Sequence, residues 1–162
     1  MTDPLDLAVR VTGDEYSAEG VDRLRRIARW SRPHDVASIC VCVERPRGDV
    51  EREFTEADVH CRVVEARGRK RFVDAVRSIA RGVEAGRASS DEVVSSHLDR
   101  KVEPGLEPDI FVQTGIERLS DALLWQSVYS ELRYVDSWLS FDRDELDGLL
   151  EDYEESERRF GR

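Results

Sequence analysis

The run Val36-Ala37-Ser38-Ile39-Cys40-Val41-Cys42-Val43 limits the fold of this chain more than any other stretch. It is almost continuously apolar. A half-buried strand alternates apolar and polar residues, whereas this one offers no wet face and must lie between two layers. The flanking segments supply those layers. Residues 5–11 read as an earlier short strand, broken by Thr12-Gly13-Asp14. From Ser17 a helix follows, with Val21, Leu24, Ile27 and Ala28 on one face. Arg25, Arg26 and Arg29 suit its C-terminal dipole, and Pro33 stops it. Residues 57–64 read as a third strand. Phe72, Val73, Val76, Ile79, Ala80 and Val83 then mark a strongly amphipathic helix that ends at Gly86.

Ser89 with Glu92 has the spacing of a capping box and opens a short helix through Leu98. Residues 103–108 form a turn-rich linker. A fourth strand is expected over residues 109–114, a helix over 119–132, and a last helix capped by Asp142 with Glu145. Strands alternating with helices imply a single α/β domain over residues 1–162, with a central, mainly parallel sheet of four or more strands flanked by helices. Ligands of such sheets sit at the carboxyl ends of the strands. The loops of interest are therefore residues 12–16, 44–48, 65–69 and 113–118.

Charge narrows the function. The 162 residues carry 35 acidic against 25 basic side chains, a net charge of −10. This argues against a general nucleic-acid binder, which needs a basic surface. No apolar run approaches the roughly 20 residues of a membrane span, so membrane contact is expected to be peripheral at most. The short acidic start, residues 1–6, does not read as a signal peptide. Three cysteines, Cys40, Cys42 and Cys61, are an odd count and read as small buried hydrophobes in a reducing, cytoplasmic compartment. A zinc site with His60 would lack a fourth ligand.

The C-terminal third carries a resemblance. Pro108-Asp109-Ile110-Phe111-Val112-Gln113-Thr114-Gly115, then Leu123-Leu124-Trp125-Gln126 and Tyr129-Ser130-Glu131-Leu132-Arg133-Tyr134, resemble the signature of the cis-prenyltransferases. Arg158-Arg159-Phe160-Gly161 matches that family's R-R-F-G terminus. Upstream, Glu65-Ala66-Arg67-Gly68-Arg69 falls where the family has N-Y-G-G-R, Val43-Glu44-Arg45-Pro46 where it has S-x-E-N-W-x-R-P, and residues 7–14 where it has its first strand and D-G-N loop.

The resemblance implies an undecaprenyl diphosphate synthase-like fold and transfer of an allylic prenyl group onto isopentenyl diphosphate with Mg²⁺. It implies diphosphate contacts for Arg45, Arg69, Arg118, Ser120, Arg159 and Gly161, and a metal contact for Glu131. Glu131 equally reads as an ion-pair partner of Arg133 or Arg118. Trp125, Tyr129, Tyr134 and Trp138 fall in the family's dimer interface, and Trp125 and Tyr129 read as core or dimer packing rather than ligand contacts.

The departures are as informative as the matches. The family's essential Asp is Thr12 here, its Asn is Asp14, and an Arg of the second clamp is Gln113. Asp14 and Glu15 add negative charge where diphosphate would bind. Only residues 47–56 remain where the family walls its product tunnel. The expectation is a contracted, non-catalytic accessory subunit that pairs with a full-length homologue acting on isoprenoid diphosphates. The alternatives are a minimal prenyltransferase on short substrates, using Asp14 and Glu131 with Mg²⁺, and a stand-alone relic that binds a prenyl or phosphate ligand or nothing; a homodimer is the alternative to the heteromer.

Overall fold

The computed structural model describes residues 4–46, 52–93, 95–102, 106–115 and 120–160, and the side chains of all of these except 95 and 157–160. Six strands are β1 (Leu5–Thr12), β2 (Val36–Glu44), β3 (Glu53–Glu56), β4 (Val59–Glu65), β5 (Ile110–Thr114) and β6 (Glu131–Val135). Helices are α1 (Ala18–Ser31), α2 (Gly68–Glu84), α3 (Ser95–Asp99) and α4 (Arg143–Phe160). The strands form one sheet in the order β3-β4-β2-β1-β5-β6. All neighbours are parallel except β3 and β4. The α/β class and the mainly parallel sheet are as the sequence implies.

β2 lies inside the sheet, between β1 and β4, with layers on both faces. On one face Leu7, Val9 and Val11 of β1 and Ile39, Val41 and Val43 of β2 meet Leu24 and Ile27 of α1 and Leu146 and Leu150 of α4. The other face gathers Ala8, Cys40, Cys42 and Phe111 beneath Leu106, Ala122 and Leu123. The three cysteines are free and buried, as the strand reading requires. Asp142 and Glu145 cap α4 reciprocally, each backbone N–H donating to the other's carboxylate at 3.1 and 3.0 Å. The Ser89–Glu92 capping box also forms, but it opens a 3₁₀ turn rather than α3.

Two expectations are corrected. The strand expected over residues 57–64 is the second arm of a hairpin. Ala57 and Asp58 both adopt positive φ, 51° and 68°, and turn the chain between Glu56 and Val59. The first arm, β3, becomes an edge strand where the family places tunnel-walling helices. The helix expected over residues 119–132 does not form in the described part. Residues 121–125 are turns, Gln126–Tyr129 is a 3₁₀ helix, and Glu131 opens β6. Ser130 donates its hydroxyl to the Pro108 carbonyl, and the Glu131 N–H pairs with the Asp109 carbonyl at 2.7 Å, which draws this segment onto β5. None of the described helices is long and apolar enough to cross a membrane.

Candidate functional site

The carboxyl ends of β1, β2 and β5 meet around two carboxylates. Arg10 is a charged residue in an otherwise apolar part of β1. Its guanidinium forks onto Glu44 at the end of β2, with Nε–Oε1 3.1 Å and Nη2–Oε2 2.7 Å. Nη1 donates to the Thr114 carbonyl at 2.8 Å. Ser120 completes the cluster. Its hydroxyl reaches Glu44 Oε1 at 3.3 Å, and its backbone N–H donates to Gln113 Oε1 at 2.9 Å. Arg10 beside it, ahead of the opposing effect of burial, holds the Glu44 carboxyl below the usual carboxylate range.

The second carboxylate is Glu15, on the β1–α1 loop. Its Oε2 accepts from the Thr12 N–H at 3.3 Å and from the hydroxyls of Thr12 and Thr114 at 3.1 and 3.2 Å. Its Oε1 accepts from the Ser137 hydroxyl at 2.9 Å and the Trp138 N–H at 3.1 Å. Gly13 brings this loop against the chain after β2, since a Cβ there would lie 2.1 Å from the Arg45 carbonyl oxygen. The rim of the sheet is thus a closed polar knot whose donors are satisfied from within. The exceptions are Gln113 Nε2 and the Trp138 indole Nε1, both buried with no hydrogen-bond partner among the described residues.

A family model described as "Putative undecaprenyl diphosphate synthase" matches residues 51–161. The chain belongs to the cis-prenyltransferase family. It is 41% identical over 99 residues to a tritrans,polycis-undecaprenyl-diphosphate synthase (geranylgeranyl-diphosphate specific) of Methanopyrus kandleri, covering 59% of this chain and 36% of that one. It is 43% identical over 99 residues to an isoprenyl transferase of Agrobacterium fabrum, covering 57% and 39%. The matches therefore span less than half the length of these curated relatives.

A solved undecaprenyl diphosphate synthase from Campylobacter jejuni, described as probable, superposes with a TM-score of 0.66 at 16% identity over 100% of both chains. Lavandulyl diphosphate synthase from Lavandula x intermedia, in complex with dimethylallyl diphosphate, superposes with a TM-score of 0.71 at 16% identity, covering 93% of this chain and 95% of that one. These two share the cis-prenyltransferase fold.

The structure scatters the residues that the cis-prenyltransferase pattern nominates. Ser120 lies in the knot, and Arg45 stands exposed at its edge with a left-handed backbone, φ 53°. Arg69 lies in the first turn of α2 and approaches Asp121, at 4.0 Å. Glu131 pairs with Arg133 and lies beside Ile110, at the amino end of β5, whereas the knot is at the carboxyl end. Those ends are about 13 Å apart at the rise of a parallel strand. Arg118 and Gly161 lie outside the described residues, as does the Arg159 side chain, although α4 runs to Phe160.

Trp138, placed at the interface from sequence, belongs to the core. Its side chain is fully buried with Tyr16, Phe141 and Leu146. Tyr134 is exposed, while Trp125 is half-buried, donating Nε1–H to Asp99 at 2.7 Å and tilting against Phe72. Tyr129 is 85% exposed and Val128 62%.

A Mg²⁺ ion is the family's cofactor. The donor set at the knot does not fit it. Octahedral Mg²⁺ needs carboxylate oxygens with free lone pairs, and those of Glu15 and Glu44 already face five donors and a forked guanidinium. Among the described residues, no group of three or more His, Cys, Asp or Glu side chains is arranged to hold a metal. Sequence reasoning missed Arg10, Glu44 and Ser137 as members of the site. The available signal was Arg10 itself, a lone cation amid Leu7, Ala8, Val9 and Val11.

Proposed function

We propose that this chain is a non-catalytic accessory subunit of cis-prenyl transfer. It pairs with a full-length family member that condenses isopentenyl diphosphate with an allylic diphosphate. The observation that carries this reading is the knot at the carboxyl ends of the strands. Ionising an allylic C–O bond requires cations and free N–H groups aimed at the departing diphosphate. Here Arg10 is neutralised by Glu44, and Glu15 occupies the donors of Thr12, Thr114, Ser137 and Trp138. Thr12 and Gln113 replace the family's catalytic Asp and clamp Arg. A diphosphate entering this site would meet two carboxylates held ionised.

Two retained features support pairing. The Arg159-Phe160-Gly161 terminus matches the family segment that reaches a neighbouring active site, and Arg supplies a forked donor suited to phosphate. Leu124, Val128, Tyr129 and Tyr134 leave apolar and aromatic surface for a partner. Buried free thiols suit a cytoplasmic location.

The test has two arms. Purified chain with Mg²⁺, isopentenyl diphosphate and a set of allylic diphosphates is expected to give no polyprenyl product. Radiolabelled product from the chain alone would establish the minimal-enzyme reading instead. Reconstitution with a full-length homologue from the same host is expected to raise prenyl transfer, and Arg159→Ala to lower it by about 10²-fold while leaving the pair assembled. Equal rates with both proteins would remove the terminus from the shared site.

A further inference from the structure

Helix α2 has an outer face that the described residues leave exposed. At 100° per residue, Phe72, Ala75 and Ile79 form its inner stripe, with Phe72 against Trp125 and Ala75 buried. Val73, Val76, Ala80 and Val83 form a second stripe beside the first. Val73 is 38% exposed and Val76 44%. Along the far edge of this stripe run Lys70, Arg77 and Arg81, all exposed.

The charge here opposes that of the molecule. α2 carries five basic and two acidic residues in a chain of net charge −10. α4, packed on the opposite face of the sheet, carries eight acidic and three basic residues. Lys70 and Arg77 approach Asp74 at 2.6 and 3.7 Å, but such exposed pairs are weak and leave the cations available. At the start of α2 an open cleft of about 600 Å³ sets Arg67, Arg69, Lys70 and Arg77, with the carboxylates of Asp74 and Asp121, around Ala66 and Val73.

We propose that α2 is the surface by which this chain docks on an anionic lipid membrane. The helix lies in the interface with Val73 and Val76 toward the acyl boundary and the Lys70, Arg77 and Arg81 row over the headgroups. An apolar stripe edged by long basic side chains is the pattern of interfacial helices, because the stems follow the apolar surface while the charges reach the phosphates. Four cations against two carboxylates leave the cleft net positive beside an exposed apolar stripe, which suits anionic headgroups over an acyl boundary. The inference stands on this surface alone, whichever reading of the sheet rim holds.

The experiment is flotation of the full chain with two vesicle populations, phosphatidylcholine alone and an equimolar mixture with phosphatidylglycerol, at low and high salt. The chain is expected to float with the anionic vesicles at low salt only, and not with phosphatidylcholine. Lys70→Ala with Arg77→Ala should reduce partitioning by about 30-fold, the sum of two charges near an anionic surface. Val73→Ser with Val76→Ser keeps the charge and should also reduce it. Glu151→Ala with Glu154→Ala, exposed on α4, should not. Melting curves check that each variant folds.

Absence of flotation by the unmodified chain at low salt would overturn the proposal, as would equal flotation with both vesicles. If the α2 substitutions abolished pairing with a full-length homologue and left flotation unchanged, α2 would be a protein interface and the proposal would again fall.

Discussion

At Glu15 two effects oppose each other. Burial favours the neutral acid, while hydrogen bonds from Ser137, Thr12 and Trp138 favour the carboxylate, and together they leave its pKa below the ordinary 4.5. At Glu44 the Arg10 guanidinium acts in the same direction. Both folded values are depressed, so on acidification the unfolded chain takes up these protons first. Their stabilisation is complete above about pH 4.5 and is lost as pH falls through the folded values. Glu15→Gln is therefore expected to melt earlier at pH 7, by roughly 1–2 kcal/mol of stability, and the difference should shrink toward pH 3. A gap that stayed constant with pH would mean Glu15 acts by packing alone. The sequence showed Glu15 as an added negative charge near the first strand. It did not show that the carboxylate turns inward, because Ser137 and Trp138 are more than 120 residues away and only the fold brings them together.

Legibility at the scale of elements followed burial. β2 was readable because both its faces are covered, and α1 and α4 because each keeps one apolar face at helical spacing. β3 was not readable. It is four residues at an edge, with a burial pattern that alternates only between exposed and intermediate. Its turn, Ala57-Asp58, lacks the Asn-Gly or Asp-Gly signature of two-residue hairpins with positive φ. Leu123, Leu124 and Val128 imitate a helix although the segment is turns and 3₁₀: Leu123 covers the apolar sheet, while Leu124 and Val128 stand on the surface. The hairpin yields a prediction. A left-handed backbone disfavours Ala relative to Asn, so Ala57→Asn should raise the denaturation midpoint by about 0.5–1 kcal/mol of stability. No change, or a loss, would show that the turn differs from the conformation described.

The exposed aromatic and aliphatic side chains of the segment before β6 set the expectation for the whole molecule. Tyr129 and Val128 lie far enough out that replacing both with Ser should leave the monomer's melting temperature nearly unchanged. The same change should weaken self-association or pairing with a full-length homologue by at least tenfold in sedimentation equilibrium. Unaltered association would place the interface elsewhere. The hairpin also bears on how the chain assembles. β3 and β4 meet across the two-residue turn between Glu56 and Val59, whereas β1 and β5 must first bring Leu7 to Ile110. Loop-closure entropy rises by about 0.6 kcal/mol per doubling of loop length, so the long closure costs about 3 kcal/mol more than the short one. The hairpin can therefore form while the rest of the sheet is still unpaired. β4 then reaches β2 with one edge already satisfied, leaving the other edge as the template on which the parallel strands are laid down.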